Sequence, residues 1–370
     1  MSISEVNQDY ACKIEKVFSG SKKTVPVVFA TDSNFMPYLY VAVQSIADNA
    51  SVFNNYDIVI LCTEIEPYTI KQFKQLNRDN VSVRFIDMAP MMSKYKDIWY
   101  THWHYTEAMY YRFFIPEIFS DYDKIVYLDC DIVANCDIAE LYDIDMEGKG
   151  LAASIGLARQ HKDDKHTDYI EKTLNIRKET YFNSGVLMFD IKQNKETNFF
   201  EKCINTLKEL KEPLFPDQDV LNIVFKNNVK YINCAYNFTW NVVHYFKNSE
   251  EKLSDDFKQD FINACDNPKI IHYAGKYKPW RQPNLTYSDY FWKYARKTPF
   301  YEEMIYKNCK SNLNKNSIYN VVYRRRIYMQ YLKCKLLKLI TVGNRRQHYA
   351  TKAIGLKNMI MDYRKILKKM

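Results

Sequence analysis

The first half of the chain alternates short apolar runs with amphipathic segments. Four runs rich in β-branched residues and bounded by polar or turn residues predict strands at residues 25–30, 56–62, 81–87 and 124–129. Between the first two runs, Leu39, Val43 and Ile46 recur at helical spacing, and residues 70–76 repeat the pattern between the next two. Strands that alternate with helices in near-continuous apolar runs predict an α/β fold, with a parallel sheet covered by helices on both faces.

The second half adds further strands and helices. Its pattern predicts strands at residues 181–191 and 269–275, and helices at 195–211 and 215–225. Asp217, at the start of the second of these helices, is a candidate N-cap. Because ligands of open α/β sheets bind at the carboxyl ends of the strands, the residues that follow each strand are the first candidates for chemistry.

Composition favours a soluble globular protein. Of the 370 residues, 47% are hydrophobic and 26% are charged, which excludes disordered, collagen-like and disulfide-scaffold classes. Mean hydropathy is −0.45, no apolar run is long enough for a membrane span, and residues 1–20 lack signal-peptide features, so we expect a cytoplasmic protein. None of the nine cysteines forms a C-x-x-C pair, which favours reduced thiols over a zinc site or a disulfide framework.

Positive charge is concentrated at the carboxyl end of the chain. Residues 320–370 contain 14 Lys and Arg and one acid, a net charge of +13, whereas residues 1–319 carry a net charge of −4. Residues 320–342 also place apolar side chains on one arc of a helical wheel, with most basic side chains outside it. Such a segment suits an anionic membrane surface. A solvated helical pair packed on the body, and binding to nucleic acid, are the alternatives.

Two carboxylates, Asp129 and Asp131, follow the fourth predicted strand. One residue apart on an extended strand, they would point the same way and could share one hard divalent cation that binds phosphate oxygens. A solvated acidic turn is the alternative. The apolar residues before them place the pair at the rim of a buried sheet, where ionised carboxylates need a counter-charge.

A second group of candidate residues follows the last predicted strand. His272 could complete a metal set of oxygen and nitrogen ligands, and a histidine satisfied within the core is the alternative. Gly275 would let the backbone approach a ligand closely, and Lys278 would supply positive charge for a phosphate. Neither the dinucleotide-binding glycine pattern nor the P-loop pattern occurs in the sequence.

Three further features have both structural and functional interpretations. Helix capping explains Asp217 and Asp219 but not Gln218 between them. Residues 183–185, Asn-Ser-Gly, taken alone indicate a turn. Arg112 lies in an aromatic stretch where a helix would be nearly all buried, so it needs an anionic partner, either a structural acid or a ligand phosphate.

Taken in order, these features resemble glycosyltransferase family 8. This family includes the bacterial α-galactosyl- and α-glucosyltransferases of lipopolysaccharide cores, and glycogenin. Six motifs in family order carry the resemblance: FATDSN, YRF, YLDCDI, FNSGVLMFD, DQDVLN and HYAGKYKPW. They cover about residues 24–285, and the tail past about residue 300 lies outside the resemblance.

The resemblance implies a fold, a domain layout and an activity. The fold would be of the GT-A type, a Rossmann-like mixed sheet flanked by helices. Residues 1–23 would be an N-terminal extension, 24–300 the catalytic domain and 301–370 a basic helical tail. The enzyme would move glucose or galactose from UDP-glucose or UDP-galactose to a glycan, glycolipid or glycoprotein, with retention of anomeric configuration. We expect it on the inner face of the cell membrane, held through residues 320–370.

The resemblance also implies the site residues. Asp129, Asp131 and His272 would hold Mn²⁺, with Mg²⁺ as the alternative. Arg112, Asp217 and Gln218 would be catalytic, and His104 and Trp240 would contact the acceptor. The nucleotide-sugar contacts, beginning with the uridine, would be Ala30, Thr31, Asp32, Asn34, Arg112, Asp129, Cys130, Asp131, Asn183, Ser184, Asp217, Gln218, His272, Gly275 and Lys278.

The sequence departs from the frequent family pattern at Ser33 and at Cys130. Neither change removes an implied metal ligand, so we expect an active enzyme. Since Gln218 is the family's candidate on the far face of the sugar and amides are poor nucleophiles, we favour front-face attack over a covalent intermediate. The rival hypotheses are a catalytically silent nucleotide-sugar binder and a protein that binds nucleic acid through its basic tail. The nucleic-acid hypothesis leaves the six motifs unexplained.

Overall fold

The computed structural model describes residues 13–102, 106–157, 165–243, 255–315, 317–343, 345–354 and 356–357. The chain divides into two compact units, Met1–Glu302 and Glu303–Met370. All of the described strands lie in the first unit. The predicted domain limits at 1–23, 24–300 and 301–370 stay a prediction.

The described strands of the first unit form a larger and a smaller sheet. They are β1 (Thr24–Ala30), β2 (Asn55–Cys62), β3 (Val81–Asp87), β4 (Lys124–Leu128), β5 (Ile132–Ala134), β6 (Leu151–Ile155), β7 (Phe182–Asp190), β8 (Val229–Tyr231), β9 (Phe238–Thr239) and β10 (Ile270–His272). The strand order is β3-β2-β1-β4-β7-β6-β8 in the larger sheet and β5-β10-β9 in the smaller one.

The described helices flank these sheets in the first unit and continue into the second. The α-helices are α1 (Met36–Asn49), α2 (Pro67–Phe73), α3 (Ala89–Ser93), α4 (Ile115–Ile118), α5 (Ala139–Tyr142), α6 (Lys165–Asp168), α7 (Ile191–Glu196), α8 (Phe199–Leu210), α9 (Pro216–Val224), α10 (Asp255–Asp266), α11 (Ser288–Ala295), α12 (Tyr301–Lys315) and α13 (Ser317–Ile340). The 3₁₀ segments are Ser33–Phe35, Lys74–Leu76, Glu107–Phe114, Lys178–Thr180, Cys234–Asn237 and Trp240–Val242, and a π-helical turn covers Tyr169–Thr173.

The apolar patterns of the first half form the elements that they predict. All residues of β2 are buried, because the sheet is covered on both faces. On α1, Leu39, Val43 and Ile46 are each at most 1% exposed. Since full burial of such a side chain stabilises the fold by about 1.5–3 kcal/mol, these repeated apolar positions account for where the core lies.

The larger sheet is mixed. β1 pairs in parallel with β2 and β4, and β2 pairs in parallel with β3, which confirms the parallel arrangement predicted for the first half. β7 is antiparallel to β4 and to β6, so a sheet parallel throughout is wrong, whereas a mixed sheet, which the resemblance implied, is confirmed. Apolar periodicity identifies a strand but not its direction, which depends on its neighbours in the folded chain.

The helix predicted at 195–211 is divided in the structure. Its residues belong to the end of α7 and to α8, and Asn198 between them has φ of 51°, in the left-handed region. A left-handed residue cannot continue a right-handed helix, so the two segments change direction there. The helix predicted at 215–225 forms as α9 with nearly the same limits.

The last strand, β10, belongs to the smaller sheet and lies beside the end of β4 in the larger sheet. β10 is antiparallel to β5, and His272 lies opposite Ile132 in their register. Tyr273 N also donates a hydrogen bond to Asp131 O at 2.9 Å. The short connection from β4 to β5 therefore lies beside the end of β10, although these residues are distant in sequence.

The described residues of the second unit are largely helical. The predicted helix at 320–342 is confirmed as α13, and the described residues 345–354 are helical as well. Leu336, Leu339 and Ile340 are exposed by 64%, 77% and 78%. Within the described part of the chain, no helix is long and apolar enough to cross a membrane.

Candidate functional site

Asp129 and Asp131 lie in the turn between β4 and β5. The prediction that they share an extended strand is wrong, because β4 ends at Leu128 and β5 begins at Ile132. Their carboxylates nevertheless converge. The turn is held on one side by Asp129 N, which donates to Gly185 O at 2.8 Å, and on the other by the bond between Tyr273 N and Asp131 O.

The two carboxylates meet the imidazole of His272. One ligand atom from each of Asp129, Asp131 and His272 lies within 4.8 Å of the others. His272 Nε2 is 3.2 Å from Asp131 Oδ1 and 3.7 Å from Asp129 Oδ2. Two carboxylates and one imidazole are oxygen and nitrogen donors that suit a divalent cation such as Mn²⁺ or Mg²⁺. The residues present therefore fit a metal ion.

Lys278 completes the charge balance of this cluster. Its Nζ binds the Asp131 carboxylate and donates to Tyr273 O at 2.7 Å. Burial acts to raise the pKa of Asp131, but Lys278 and His272 outweigh it and hold that pKa well below its usual range. The Asp131 side chain is only 12% exposed, which excludes the alternative of a solvated acidic turn.

Gly185 allows the cluster to be compact. It lies on β7 between the turn of the two carboxylates and the imidazole, and it has no side chain to separate them. A Cβ at this position would lie 2.2 Å from His272 Cε1 and 2.9 Å from Asp129 Oδ2. Residues 183–185 therefore lie within a strand, and their interpretation as a turn is wrong.

Arg112 is buried behind the carboxylates. Its Nη2 is 2.9 Å from Asp129 Oδ1, its Nη1 is 2.9 Å from Asp217 Oδ2, and the guanidinium lies over the Tyr127 ring at 4.2 Å. Nη1 also donates to Ser184 O at 2.8 Å. The anionic partners of Arg112 among the described residues are thus the carboxylates of Asp129 and Asp217.

Asp217 is not the N-cap of α9. Phe215 occupies that position without a side-chain cap, and Pro216 begins the helix. The Asp217 carboxylate instead accepts from Ser184 Oγ at 3.0 Å and pairs with Arg112. Burial raises the pKa of Asp217, with Arg112 acting against it. The buried arginine supplies a stronger interaction than a helix terminus, because a charge inside the protein must be paired.

Two neighbours of Asp217 extend the polar network. Gln218 Oε1 accepts from Asn183 Nδ2 at 2.9 Å and from Ser184 N at 3.1 Å. The Asp219 carboxylate accepts from the Tyr181 hydroxyl at 2.5 Å and from the Tyr169 hydroxyl at 2.8 Å. Burial raises the pKa of Asp219 to about 6, against the effect of these hydrogen bonds.

The end of β1 and the polar residues after it lie beside the carboxylate turn. Asp32 Oδ1 accepts from Asn34 N at 2.8 Å and caps the 3₁₀ segment that follows. Thr31 Oγ1 donates to Asp32 O at 3.0 Å. Cys130 Sγ donates to Ala30 O at 3.2 Å, and burial raises the pKa of its thiol well above the usual value. The ends of β1 and β4 are thus joined at the same edge of the sheet.

The remaining residues singled out by the sequence are Gly275, Trp240, His104 and the cysteines. Gly275 has φ of 84°, a conformation that favours glycine. Trp240 is 4% exposed, in a 3₁₀ segment. His104 lies outside the described residues. Each of the eight cysteines within the described residues is a free thiol.

Sequence reasoning missed two residues of the cluster. The Tyr127 hydroxyl donates to Asp129 Oδ1 at 3.1 Å, and Asn237 Oδ1 is 2.9 Å from His272 Nδ1. Tyr127 could have been found, because it lies two residues before Asp129 at the end of a strand. Asn237 ends the 3₁₀ segment Cys234–Asn237, 35 residues before His272, so no local sequence pattern links the two residues.

Residues 26–283 match the sequence model of Glycosyl transferase family 8. The chain belongs to glycosyltransferase family 8. The match covers most of the chain and includes every described residue of the carboxylate–histidine cluster. Among curated relatives of this family 8 protein, the lipopolysaccharide 1,2-glucosyltransferase of Escherichia coli is 26% identical over 315 residues, 82% of this chain and 88% of the relative.

Solved structures of glycosyltransferases share the fold of this family 8 chain. The bifunctional glycosyltransferase WbbM aligns with a TM-score of 0.69 and 30% identity, over 80% of this chain and 53% of that chain. Galactosyltransferase LgtC, solved with donor and acceptor sugar analogues, aligns with a TM-score of 0.64 and 24% identity, over 74% of this chain and 96% of that chain. The family and the GT-A fold that the motifs predicted are therefore confirmed.

Proposed function

We propose that this family 8 glycosyltransferase moves glucose or galactose from a UDP-sugar to a glycan acceptor, with retention of anomeric configuration. The observation that carries the proposal is the convergence of Asp129, Asp131 and His272, with Lys278 beside them, at the carboxyl edge of the sheet. A nucleoside diphosphate needs positive charge at this place, and the cluster supplies both metal ligands and a lysine. The similarity to a lipopolysaccharide 1,2-glucosyltransferase supports a hexose donor and a cell-surface glycan.

The donor would lie across the joined ends of β1 and β4. Ala30, Thr31, Asp32 and Asn34 would contact the uridine, and Gly275 and Lys278 the diphosphate. A Mn²⁺ ion, or Mg²⁺, held by the two carboxylates and the imidazole would stabilise the negative charge of the leaving diphosphate as a Lewis acid. The contacts to the donor sugar would come from Arg112, Asn183, Ser184, Asp217 and Gln218, which form one hydrogen-bonded group.

The geometry supports front-face attack. In the reaction, the bond from the anomeric carbon to the phosphate oxygen breaks while the acceptor hydroxyl oxygen bonds to the same face of that carbon. The hydroxyl proton passes to the leaving phosphate oxygen. Gln218 is an amide, and the Asp217 carboxylate is bound by Arg112 Nη1 and Ser184 Oγ, so neither is prepared as a nucleophile. Both would orient the sugar and stabilise developing positive charge.

The second unit supports attachment to an anionic membrane surface, where lipid-linked acceptors are found. α13 carries exposed apolar side chains at Leu336, Leu339 and Ile340. Its segment belongs to the part of the chain with a net charge of +13. Apolar insertion and attraction to anionic headgroups act together on such a helix.

A donor screen tests the catalytic proposal. Thermal stability and turnover are measured with a set of UDP-sugars, with Mn²⁺ and with EDTA, for the wild type, Asp131→Ala and the control Asp121→Ala at an exposed acid. We expect Mn²⁺-dependent stabilisation and slow hydrolysis of one UDP-sugar, lost in Asp131→Ala and kept in Asp121→Ala. Binding of a UDP-sugar without turnover would identify a silent binder, and no response to any UDP-sugar would contradict the proposal.

A further inference from the structure

A chain of side-chain hydrogen bonds leads away from the imidazole of His272 on the side opposite the carboxylates. His272 Nδ1 is 2.9 Å from Asn237 Oδ1, and Asn237 Nδ2 donates to Asn183 Oδ1 at 2.8 Å. Asn183 Nδ2 then donates to Gln218 Oε1 at 2.9 Å. The imidazole is thus connected, through the amide of Asn237, to Asn183 and Gln218, which are proposed to contact the donor sugar.

Two backbone N–H groups determine which amide atoms donate and which accept in these hydrogen bonds. Gly185 N donates to Asn183 Oδ1 at 3.0 Å, and Ser184 N donates to Gln218 Oε1 at 3.1 Å. Because a backbone N–H can only donate, both side-chain oxygens must face the backbone of β7. The amide nitrogens of Asn183 and Gln218 must then point the other way.

The hydrogen bonds beyond Gln218 run in the same donor-to-acceptor direction. Gln218 Nε2 donates to the Tyr181 hydroxyl at 3.0 Å, and that hydroxyl donates to Asp219 Oδ1 at 2.5 Å. A carboxylate only accepts, so the Tyr181 hydroxyl donates its proton to Asp219. The hydroxyl oxygen is then free to accept from the amide nitrogen of Gln218. Every donor from Asn237 onwards therefore points away from His272.

This polarity determines how Asn237 meets the imidazole. Its amide nitrogen is used by Asn183 Oδ1, so its oxygen faces His272 Nδ1. An amide oxygen can only accept, and the ring proton must therefore be on Nδ1 when the imidazole is neutral. The lone pair of Nε2 is then directed at the carboxylates of Asp129 and Asp131, as a metal ligand requires.

We propose that Asn237 is a positioning residue, which holds His272 in the tautomer with its proton on Nδ1 and so keeps Nε2 available to a divalent cation. Asn237 and His272 are each 2% exposed, so bulk water does not readily replace the amide oxygen. The inference rests on the metal site of the proposed function. It adds a residue that contacts neither metal nor substrate but sets the chemistry of a ligand.

The tautomer of His272 is the direct test. The wild-type protein is labelled with ¹⁵N at its seven histidines, and the His272 signals are assigned by their loss in His272→Gln. In the metal-free protein, at a pH where the ring nitrogens report a neutral imidazole, we expect the proton on Nδ1. A proton on Nε2 would overturn the proposal, and this measurement needs no variant of Asn237 to fold.

Substitution of Asn237 tests the consequence for metal binding. Asn237→Ala is compared with Asn233→Ala, an exposed asparagine in the same segment that caps its 3₁₀ turn. We expect Asn237→Ala to raise the Mn²⁺ dissociation constant by about 10- to 100-fold in calorimetry and to populate the Nε2–H tautomer, while Asn233→Ala changes neither. Unchanged Mn²⁺ affinity in Asn237→Ala, or an equal loss in Asn233→Ala, would contradict it.

The outcomes separate this inference from the proposed function. If the wild type binds no Mn²⁺, the metal site of the proposed function is wrong, and the tautomer of the wild-type His272 still decides the role of Asn237. If the wild type binds Mn²⁺ and Asp131→Ala does not, but Asn237→Ala binds as the wild type does, the metal site stands and the positioning role is wrong.

Discussion

Gly185 and His272 are in such close contact that a Cβ on Gly185 would lie 2.2 Å from His272 Cε1. Ordinary carbon contacts are about 3.5–4.0 Å, so even one methyl group must displace the imidazole. The same Cβ would lie 2.9 Å from Asp129 Oδ2. The absence of a side chain at Gly185 is therefore a condition for the carboxylate–histidine cluster.

Gly185→Ala is expected to weaken metal binding at least tenfold, because the imidazole and the Asp129 carboxylate must move apart. Gly275→Ala is the matched comparison: its nearest heavy atom would be 3.6 Å from the new Cβ, but φ is 84°. That change should cost about 1–2 kcal/mol of stability through backbone strain and disturb Mn²⁺ affinity less. Calorimetric titration and urea unfolding of both variants measure the two effects. Equal loss of Mn²⁺ affinity would argue against the steric explanation.

Asp219 makes stability depend on pH. Its pKa is raised from 3.8 to about 6 by burial, so the folded protein holds this proton more tightly than the unfolded chain. The stability from this group is complete below about pH 4 and is lost as the pH rises through 6. The free energy of unfolding of the wild type, relative to Asp219→Asn, should therefore fall by roughly 2–3 kcal/mol between pH 4 and pH 7.

Urea unfolding of both proteins at several pH values measures that difference. The comparison cancels the titration of the other acids, which both proteins share. A difference that stays constant from pH 4 to pH 7, or that rises, would show that burial does not control the protonation of Asp219.

Gln218→Ala is expected to slow turnover by roughly 10- to 100-fold without abolishing it. Gln218 binds Asn183, and in the proposed front-face attack it would orient the donor sugar but form no covalent bond. Gln75→Ala, at an exposed glutamine in the 3₁₀ segment Lys74–Leu76, is the control and should keep wild-type turnover. Initial rates with the preferred UDP-sugar provide the measurement. Complete loss of turnover in correctly folded Gln218→Ala would instead support a covalent role.

Replacement of Leu336, Leu339 and Ile340 by Gln is expected to reduce binding to vesicles of anionic phospholipid by at least tenfold. Each of these side chains is at least 64% exposed, and burying one in an apolar phase is worth about 1.5–3 kcal/mol. Hydrolysis of the UDP-sugar should be unchanged, since these residues lie outside the proposed catalytic site. Vesicle cosedimentation and initial rates test both statements.

The basic tail also has a rival interpretation that the same variant tests. Binding to nucleic acid would depend on Lys and Arg rather than on the three apolar residues, and it would weaken steeply with salt. If the full chain binds DNA in a salt-sensitive way and does not bind anionic vesicles, the proposed membrane attachment is wrong.

Local sequence information accounts for most of the elements. The strands of the first half and the helices that cover them follow from apolar periodicity, which reports which side of an element is buried. The residues at the ends of β1 and β4 followed from the rule that ligands bind at the carboxyl edge of such sheets. The six motifs identified the family, and with it the mixed sheet, because their order is specific where each motif alone is not.

The sequence by itself therefore determined the α/β class, the family and the candidate residues, all of which depend on short segments read in order. Only the tertiary structure decided that Asp217 pairs with Arg112 instead of capping α9, and that Asn237 meets His272. Lys278 reaches Asp131 across 147 residues of chain, so no local pattern records their contact. Such partners are chosen by the pairing of charges and hydrogen-bonding groups once the strands have buried them away from water.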